Sequence, residues 1–422
     1  MIRRSAYLLT PYIVKAATIL AQVASTLALA LIMEPTQLGI YFAALAAASL
    51  CASAADLGAV RMSFRYIAGS ADPSVLISAI LLARAISVPC LGLIFYQLAG
   101  YAEIDATVFF LILPSTLLAG INNVNRYLLI ARGRQIGAAL VEAMQPAHSL
   151  TAIVAVGIVL AQGGTVRAST IAIVLSVASV LAFAASTRTA NATRYWLRAA
   201  ARLIARTKRK PNLRSTLKYI GHSKHIGIEA LLTSLLYNLP TLAANMLAGG
   251  SVTALVGIVQ RLLAAANSLI GALISAELLR YYRVSNPRNH LSRILRHGSY
   301  AATLGFITAF VMYLASESSW TPGKLRPFVR DMQQLGVLLP VIFAMLLISG
   351  CISQLSIANR LVRVRTSATL GAVVFYAVFL LISGKSSQRF DHIDVVIGMT
   401  LAMLMSCAIQ VRWLLRASKS PG

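Results

Sequence analysis

The sequence predicts an all-α polytopic membrane protein of about twelve transmembrane helices in two six-helix bundles, with both termini cytoplasmic. Of its 422 residues, 58% are apolar and 12% charged, a balance that soluble domains rarely reach. The apolar residues fall into runs close to the ~20 residues a spanning helix needs. The 38 Lys and Arg are sorted by the gaps between those runs.

The runs lie near residues 12–32, 39–59, 75–96, 107–129, 136–160, 168–187, 226–248, 253–279, 299–315, 333–357, 367–383 and 394–414. Alternating through them from a cytoplasmic N-terminus puts 29 cations on the inner side, eleven of them between Arg188 and Lys224. Only Arg167, Lys324, Arg326, Arg330, Lys385 and Arg389 fall outside. The reverse orientation violates the positive-inside bias. Acids go the other way: Glu34, Glu103, Asp105, Glu317, Asp331, Asp391 and Asp394 fall in predicted outer loops. The net charge of +26 is therefore spread along one membrane face, which fits a surface over anionic lipid and not a nucleic-acid partner. Arg3-Arg4 before the first run reads as the flank of an uncleaved first helix. Cys51, Cys90, Cys351 and Cys407 all fall within runs, so no disulfide framework is implied.

The longest inner segment divides the chain into an N-terminal bundle (1–187), a basic cytoplasmic linker (188–225) and a C-terminal bundle (226–422). In the linker, Arg194, Arg198, Arg202 and Arg206 recur every fourth residue, with Trp196, Ala200, Leu203 and Ile204 on the opposite helical face. That pattern predicts an interfacial helix ending before Pro211, with anionic lipid headgroups as its partner. A stop-transfer flank with snorkelling arginines fits the same residues.

Three cations, Lys15, Arg84 and Arg261, fall inside runs, where a charge is costly unless it lines a cavity or meets a partner. Lys15 heads a one-face stripe with Thr18, Gln22 and Ser25, and Arg261 heads another with Ser268 and Ser275. Fixed cations in a low-dielectric layer suit a diphosphate, because they replace the water its oxygens lose. Each residue also admits a second reading. Lys15 lies about one turn from the inner interface and can snorkel, while Arg84 and Arg261 can form structural ion pairs with Glu142, Asp56 or Glu229. Those three carboxylates are in turn candidates for ion coupling or for counter-ions, with Glu142 favoured for coupling. Glu229 and Glu277 sit at inner ends and read as interfacial. Asn122, Asn123, Asn125 and Arg126 crowd the inner end of the fourth run, and Ser234, Asn238, Thr241 and Asn245 stripe the seventh. Such groups bind sugars or glue helices. Pro89, Pro114, Pro146, Pro240 and Pro340 fall within runs, where kinks are expected.

Gly39-Ile40 followed by Leu45-Ala46-Ala47-Ala48 aligns without gaps on Gly257-Ile258 followed by Leu263-Ala264-Ala265-Ala266, which implies a parallel repeat of the two halves. The stretch from Leu31 to Ala68 resembles the start of the O-antigen and polysaccharide flippases, in the superfamily that also holds the multidrug and toxin extrusion exporters. Pro35, Gly39, Tyr41 and Asp56-Leu57-Gly58 match the family pattern. Met33-Glu34 departs from it, standing where the family has Leu-Gly, and the Arg often found before that turn is missing. Arg261-Leu262 is similar to the second-half version of the motif.

The resemblance implies a V-shaped pair of bundles around a central cavity. It implies a flippase of the bacterial inner membrane that moves a polyprenyl-diphosphate-linked oligosaccharide outward by alternating access, for O-antigen, capsule or exopolysaccharide assembly. The expected substrate contacts are Lys15, Gln22, Arg84, Asn122, Asn238 and Arg261, with Glu142, Asp56 and Glu229 as coupling or counter-ion groups. A glycosyltransferase upstream and a polymerase or ligase downstream are the implied partners. No cofactor, metal or catalytic residue is expected.

Other classes are weaker. Gly384-Lys385-Ser386 mimics the end of a phosphate loop, but Phe379 stands where its first Gly must be, so no ATP site is expected. Glu103 and Asp105 resemble the acid pair of a membrane glycosyltransferase or polymerase, whose large outer loop this chain lacks. A drug exporter of the same fold would present cationic substrates to a cationic cavity.

Overall fold

The structure, a computed structural model, describes residues 2–56, 73–101, 103–160, 166–204, 213–265, 288–317, 326–358, 361–386 and 392–417. Every regular element among them is an α-helix. In chain order these are α1 (Ile2–Ile32), α2 (Pro35–Asp56), α3 (Pro73–Tyr101), α4 (Ala106–Ala131), α5 (Gln135–Leu160), α6 (Ala168–Thr189), α7 (Thr193–Ile204) and α8 (Leu213–Ala248). There follow α9 (Gly250–Ala265), α10 (Arg288–Glu317), α11 (Arg326–Gln334), α12 (Leu339–Ala358), α13 (Val362–Ser386) and α14 (His392–Ala417). Among the described residues nine helices, α1–α6, α8, α13 and α14, hold a segment long and apolar enough to cross a membrane. α9 and α12 hold shorter apolar segments. The chain is a multi-pass helical membrane protein.

The chain divides into two compact units, Met1–Ser234 and Leu235–Gly422. In the first, α2 is the most enclosed helix, packed by α3, α4 and α6. Its alanines explain this: Ala43, Ala44, Ala46, Ala47 and Ala48 are all buried, and small side chains let neighbouring backbones approach. Pro35 starts α2 at the first helical position, where its missing N–H costs nothing. α4 lies against α2, α5 and α6, and α1 runs along α5. In the second unit α12 packs on α10 and α14, and α13 packs on α14. Gly305 of α10 meets the start of α12 so closely that a Cβ there would lie 2.7 Å from the Leu339 carbonyl oxygen. Buried Tyr376 of α13 donates to the Val395 carbonyl of α14 at 2.8 Å.

Several helices outrun the apolar runs that mark them. α8 begins at Leu213, inside the expected linker, and α10 begins at Arg288. An apolar run gives the part of a helix that sits in lipid, and the backbone carries on through polar flanks because its hydrogen bonds are internal. Pro340 is the second residue of α12, so it opens a helix and does not kink one. Gly384-Lys385-Ser386 is the helical end of α13. α11 was not expected; it occupies nine residues of what the sequence marks as a loop and the start of a span. Asp105, half of the acid pair considered for an enzyme, is the N-cap of α4, its carboxylate accepting from the Val108 N–H at 3.0 Å.

Candidate functional site

Five charged side chains of the first unit, Lys15, Asp56, Arg84, Arg126 and Glu142, form two clusters along α4. α1 turns its polar stripe inward: Lys15, Gln22 and Ser25 are half-buried and Thr18 is buried, while Ile13 and Leu20 face out. Thr18 and Ser25 donate to their own helix, at the carbonyls of Val14 and Ala21, 2.7 Å each. The Gln22 amide meets no partner among the described residues. Lys15 Nζ sits against Glu142 Oε1 of α5. Glu142 Oε2 faces Arg126 Nη2 of α4 at 3.3 Å. Two cations thus share one carboxylate, leaving a net positive charge. Side-chain exposures of 16% for Lys15, 24% for Glu142 and 35% for Arg126 keep the triad reachable from outside the bundle.

The second cluster is balanced and sealed. Arg84 Nη2 of α3 pairs with Asp56 Oδ1 of α2 at 3.0 Å, at side-chain exposures of 7% and 13%. Arg84 Nη1 donates to the Leu117 carbonyl of α4 at 2.7 Å, and Ser87 donates to the Ala55 carbonyl at 3.0 Å. The guanidinium rests on Gly120: a Cβ there would stand 2.9 Å from Nη2. Of the two roles open to Arg84, this geometry displays the structural ion pair, with Asp56 as its partner.

Asn122 belongs to a buried network. Its Nδ2 donates to the Val141 carbonyl at 3.4 Å, and its Oδ1 accepts from Ser186 Oγ and, at 3.3 Å, from Asn125 Nδ2. Asn125 Nδ2 also reaches Ser186 Oγ and Thr187 Oγ1 at 3.0 Å each, and its Oδ1 accepts from Trp196 Nε1 of α7 at 2.8 Å. The network ties α4, α5, α6 and α7 together, the gluing role that such amides also admit. It explains where α7 goes. The helix docks on protein: Ala199, with Ala192 just before the helix, is buried in a core with Leu76, Ile77, Ile80 and Leu128, and Trp196 stacks edge-on against Phe183 at 5.2 Å. Its outer face presents Arg194, Leu197 and Arg198. Arg194, hydrogen-bonded to Tyr195 at 3.0 Å, holds that phenol below its usual value.

Elsewhere the structure parts the candidates. Glu229, expected at the interface, is buried at 4% exposure and accepts from Thr233 Oγ1 at 2.8 Å. Arg261 of α9 is exposed, and Ser268, Ser275 and Glu277 lie outside the described residues. Asn238 is half-buried on α8, with Thr241 and Asn245 buried beyond it and Ser234 accepting from Ser53 Oγ at 3.0 Å. Arg126, which the sequence places in the polar crowd at the inner end of the fourth run and not among the three intramembrane cations, is the third member of the triad. It lies a full helical turn before α4 ends at Ala131.

No protein-family model and no curated protein matches the sequence. Solved structures do. The lipid II flippase MurJ in an inward closed conformation aligns over 98% of this chain and 90% of its own, at 12% identity and a TM-score of 0.64. A multidrug resistance MATE family transporter of the MOP superfamily, outward-facing, aligns over 97% and 94% at 16% identity and a TM-score of 0.53. A MOP superfamily transporter from Pyrococcus furiosus aligns over 98% and 95% at 15% identity and a TM-score of 0.51. At these identities the likeness is one of fold, and the fold of this chain is that of the MATE-type transporters and MurJ.

Proposed function

We propose that this protein is a flippase of a bacterial inner membrane, which carries a polyprenyl-diphosphate-linked oligosaccharide to the outer leaflet by alternating access for surface polysaccharide assembly. The observation that carries the proposal is the Lys15–Glu142–Arg126 triad, an unbalanced positive site within reach of ligand in a transporter fold. A diphosphate entering it exchanges one internal carboxylate for several phosphate oxygens, and two cations already held in place meet it without rearrangement. Glu142 is then the competing anion. Protonating it frees both cations for substrate, which gives an ion gradient a handle on loading. Gln22, with its amide open, is the proposed sugar contact of the first unit, and Asn238 and Arg261 are proposed substrate contacts of the second, each taken by itself. Arg84 and Asp56 hold α2, α3 and α4 in register beside the site, and Glu229 serves as a buried counter-ion. One protein of this fold is named a lipid II flippase, and a lipid-borne cargo is the common element. A cationic drug finds a site of its own sign here, which disfavours export of such compounds.

The test is made in cells lacking the gene and complemented with variants of equal membrane abundance. Lys15→Gln and Arg126→Gln are expected to lose surface polysaccharide and to accumulate lipid-linked repeat units on the inner side. Normal surface polysaccharide in both variants, or in the null strain, removes the proposal.

A further inference from the structure

In the second unit an open groove of about 750 Å³ runs between α10, α12 and α14. Its walls include Ile294 and Ile348, and along α14 it extends from Leu404 to Arg416. Among the described residues, Arg412 and Arg416 are its only charged lining residues, and the others are apolar or a cysteine. Both arginines are exposed, and among the described residues neither meets a carboxylate. Arg416 lies over the Trp413 ring at 5.7 Å, and tryptophan belongs at the headgroup level of a bilayer.

The dimensions match one leaflet. The apolar segment of α14 runs from Ile393 to Arg416, so Leu404 stands near its middle. From Leu404 to Arg416 the helix rises about 18 Å at ~1.5 Å per residue. Half of a hydrocarbon core of about 30 Å is about 15 Å. The groove therefore starts near the bilayer midplane and ends where phosphates lie, on the side that the positive-inside bias makes cytoplasmic.

We infer that this groove is a binding site for one anionic phospholipid of the inner leaflet, its acyl chain along the apolar walls and its phosphate between Arg412 and Arg416. A free phosphate leaves the walls unused. A zwitterionic lipid brings its own cation to the arginines and loses most of their attraction. Only an occupant with an apolar chain and a net negative head satisfies both ends. This inference is independent of the transport proposal.

The experiment is native mass spectrometry of the full chain, titrated with phosphatidylglycerol and with phosphatidylcholine of the same acyl chains. Wild type is expected to retain the anionic lipid preferentially. The Arg412→Gln/Arg416→Gln variant is expected to lose about tenfold of that preference, the worth of one charge-assisted pair. Arg412→Lys/Arg416→Lys, which keeps the charge, is expected to hold most of it. Ala408→Phe, which fills the exposed floor of the groove, is expected to lower retention of both lipids. Glycerol phosphate is expected not to compete. Equal retention of the two lipids by wild type, a preference that survives the glutamine changes, unaltered retention in Ala408→Phe, or competition by glycerol phosphate each overturns the inference.

Discussion

The Arg84–Asp56 pair and the Lys15–Glu142–Arg126 triad use the same kinds of side chain, lie in the same unit and share α4 as a wall, yet they differ in balance and access. The pair is neutral, sealed at 7% and 13% exposure, and backed by a carbonyl and a glycine. The triad carries an excess cation and is more open in every member. A buried neutral pair with no open side has nothing to exchange, and its job is to hold helices. An unbalanced, reachable cluster has an unmet demand for negative charge. Taking away either cation of the triad still leaves Glu142 paired, whereas taking away either member of the pair breaks an ion pair in a largely buried site.

The largest effect follows from that asymmetry. Arg84→Ala removes the guanidinium that meets the Asp56 carboxylate in a largely buried site and is expected to cost about 3–5 kcal/mol, read as lost membrane abundance and a lower unfolding midpoint in detergent. Arg84→Met with Asp56→Leu removes both charges and is expected to recover most of that loss. A single variant as stable as wild type would break the comparison. Next in size is Trp196→Phe, which leaves Asn125 Oδ1 without its donor in a buried network, at about 1–3 kcal/mol. Faster hydrogen exchange confined to α7 and the adjoining end of α4 is the expected sign. Smallest is Gly120→Ala, whose methyl pushes on the Arg84 guanidinium, at about 1 kcal/mol. That cost is expected to vanish in the Arg84→Met/Asp56→Leu background, a coupling that only direct contact produces.

The helical plan was largely legible because each span must be apolar over bilayer length, a constraint local in sequence. α7 was legible too, from arginines at every fourth residue. What it docks on was not, because the Trp196–Asn125 bond joins residues 71 positions apart. Lys15 and Glu142, separated by 127 positions, were both picked out, but their pairing depends on α1 running along α5, which no local pattern encodes. Asp56 was named among the possible partners of Arg84 and is the one that meets it. Glu229 reads as lying at the inner end of its run, and the apolar segment Gly227–Ala248 keeps it two residues from that end; that it is buried against protein there is what the run alone does not show. α11 escaped notice because nine residues are too few to show a period against the apolar run that follows.

The measurement that bears most directly on the central claim is binding of a polyprenyl diphosphate to the purified protein, against the uncharged polyprenol. It is made with wild type, Lys15→Gln and the Arg84→Met/Asp56→Leu variant. The triad account predicts a preference for the diphosphate that falls about tenfold in Lys15→Gln and survives in the variant lacking the pair. Equal binding of the two lipids by wild type, or an unchanged preference in Lys15→Gln, would contradict it.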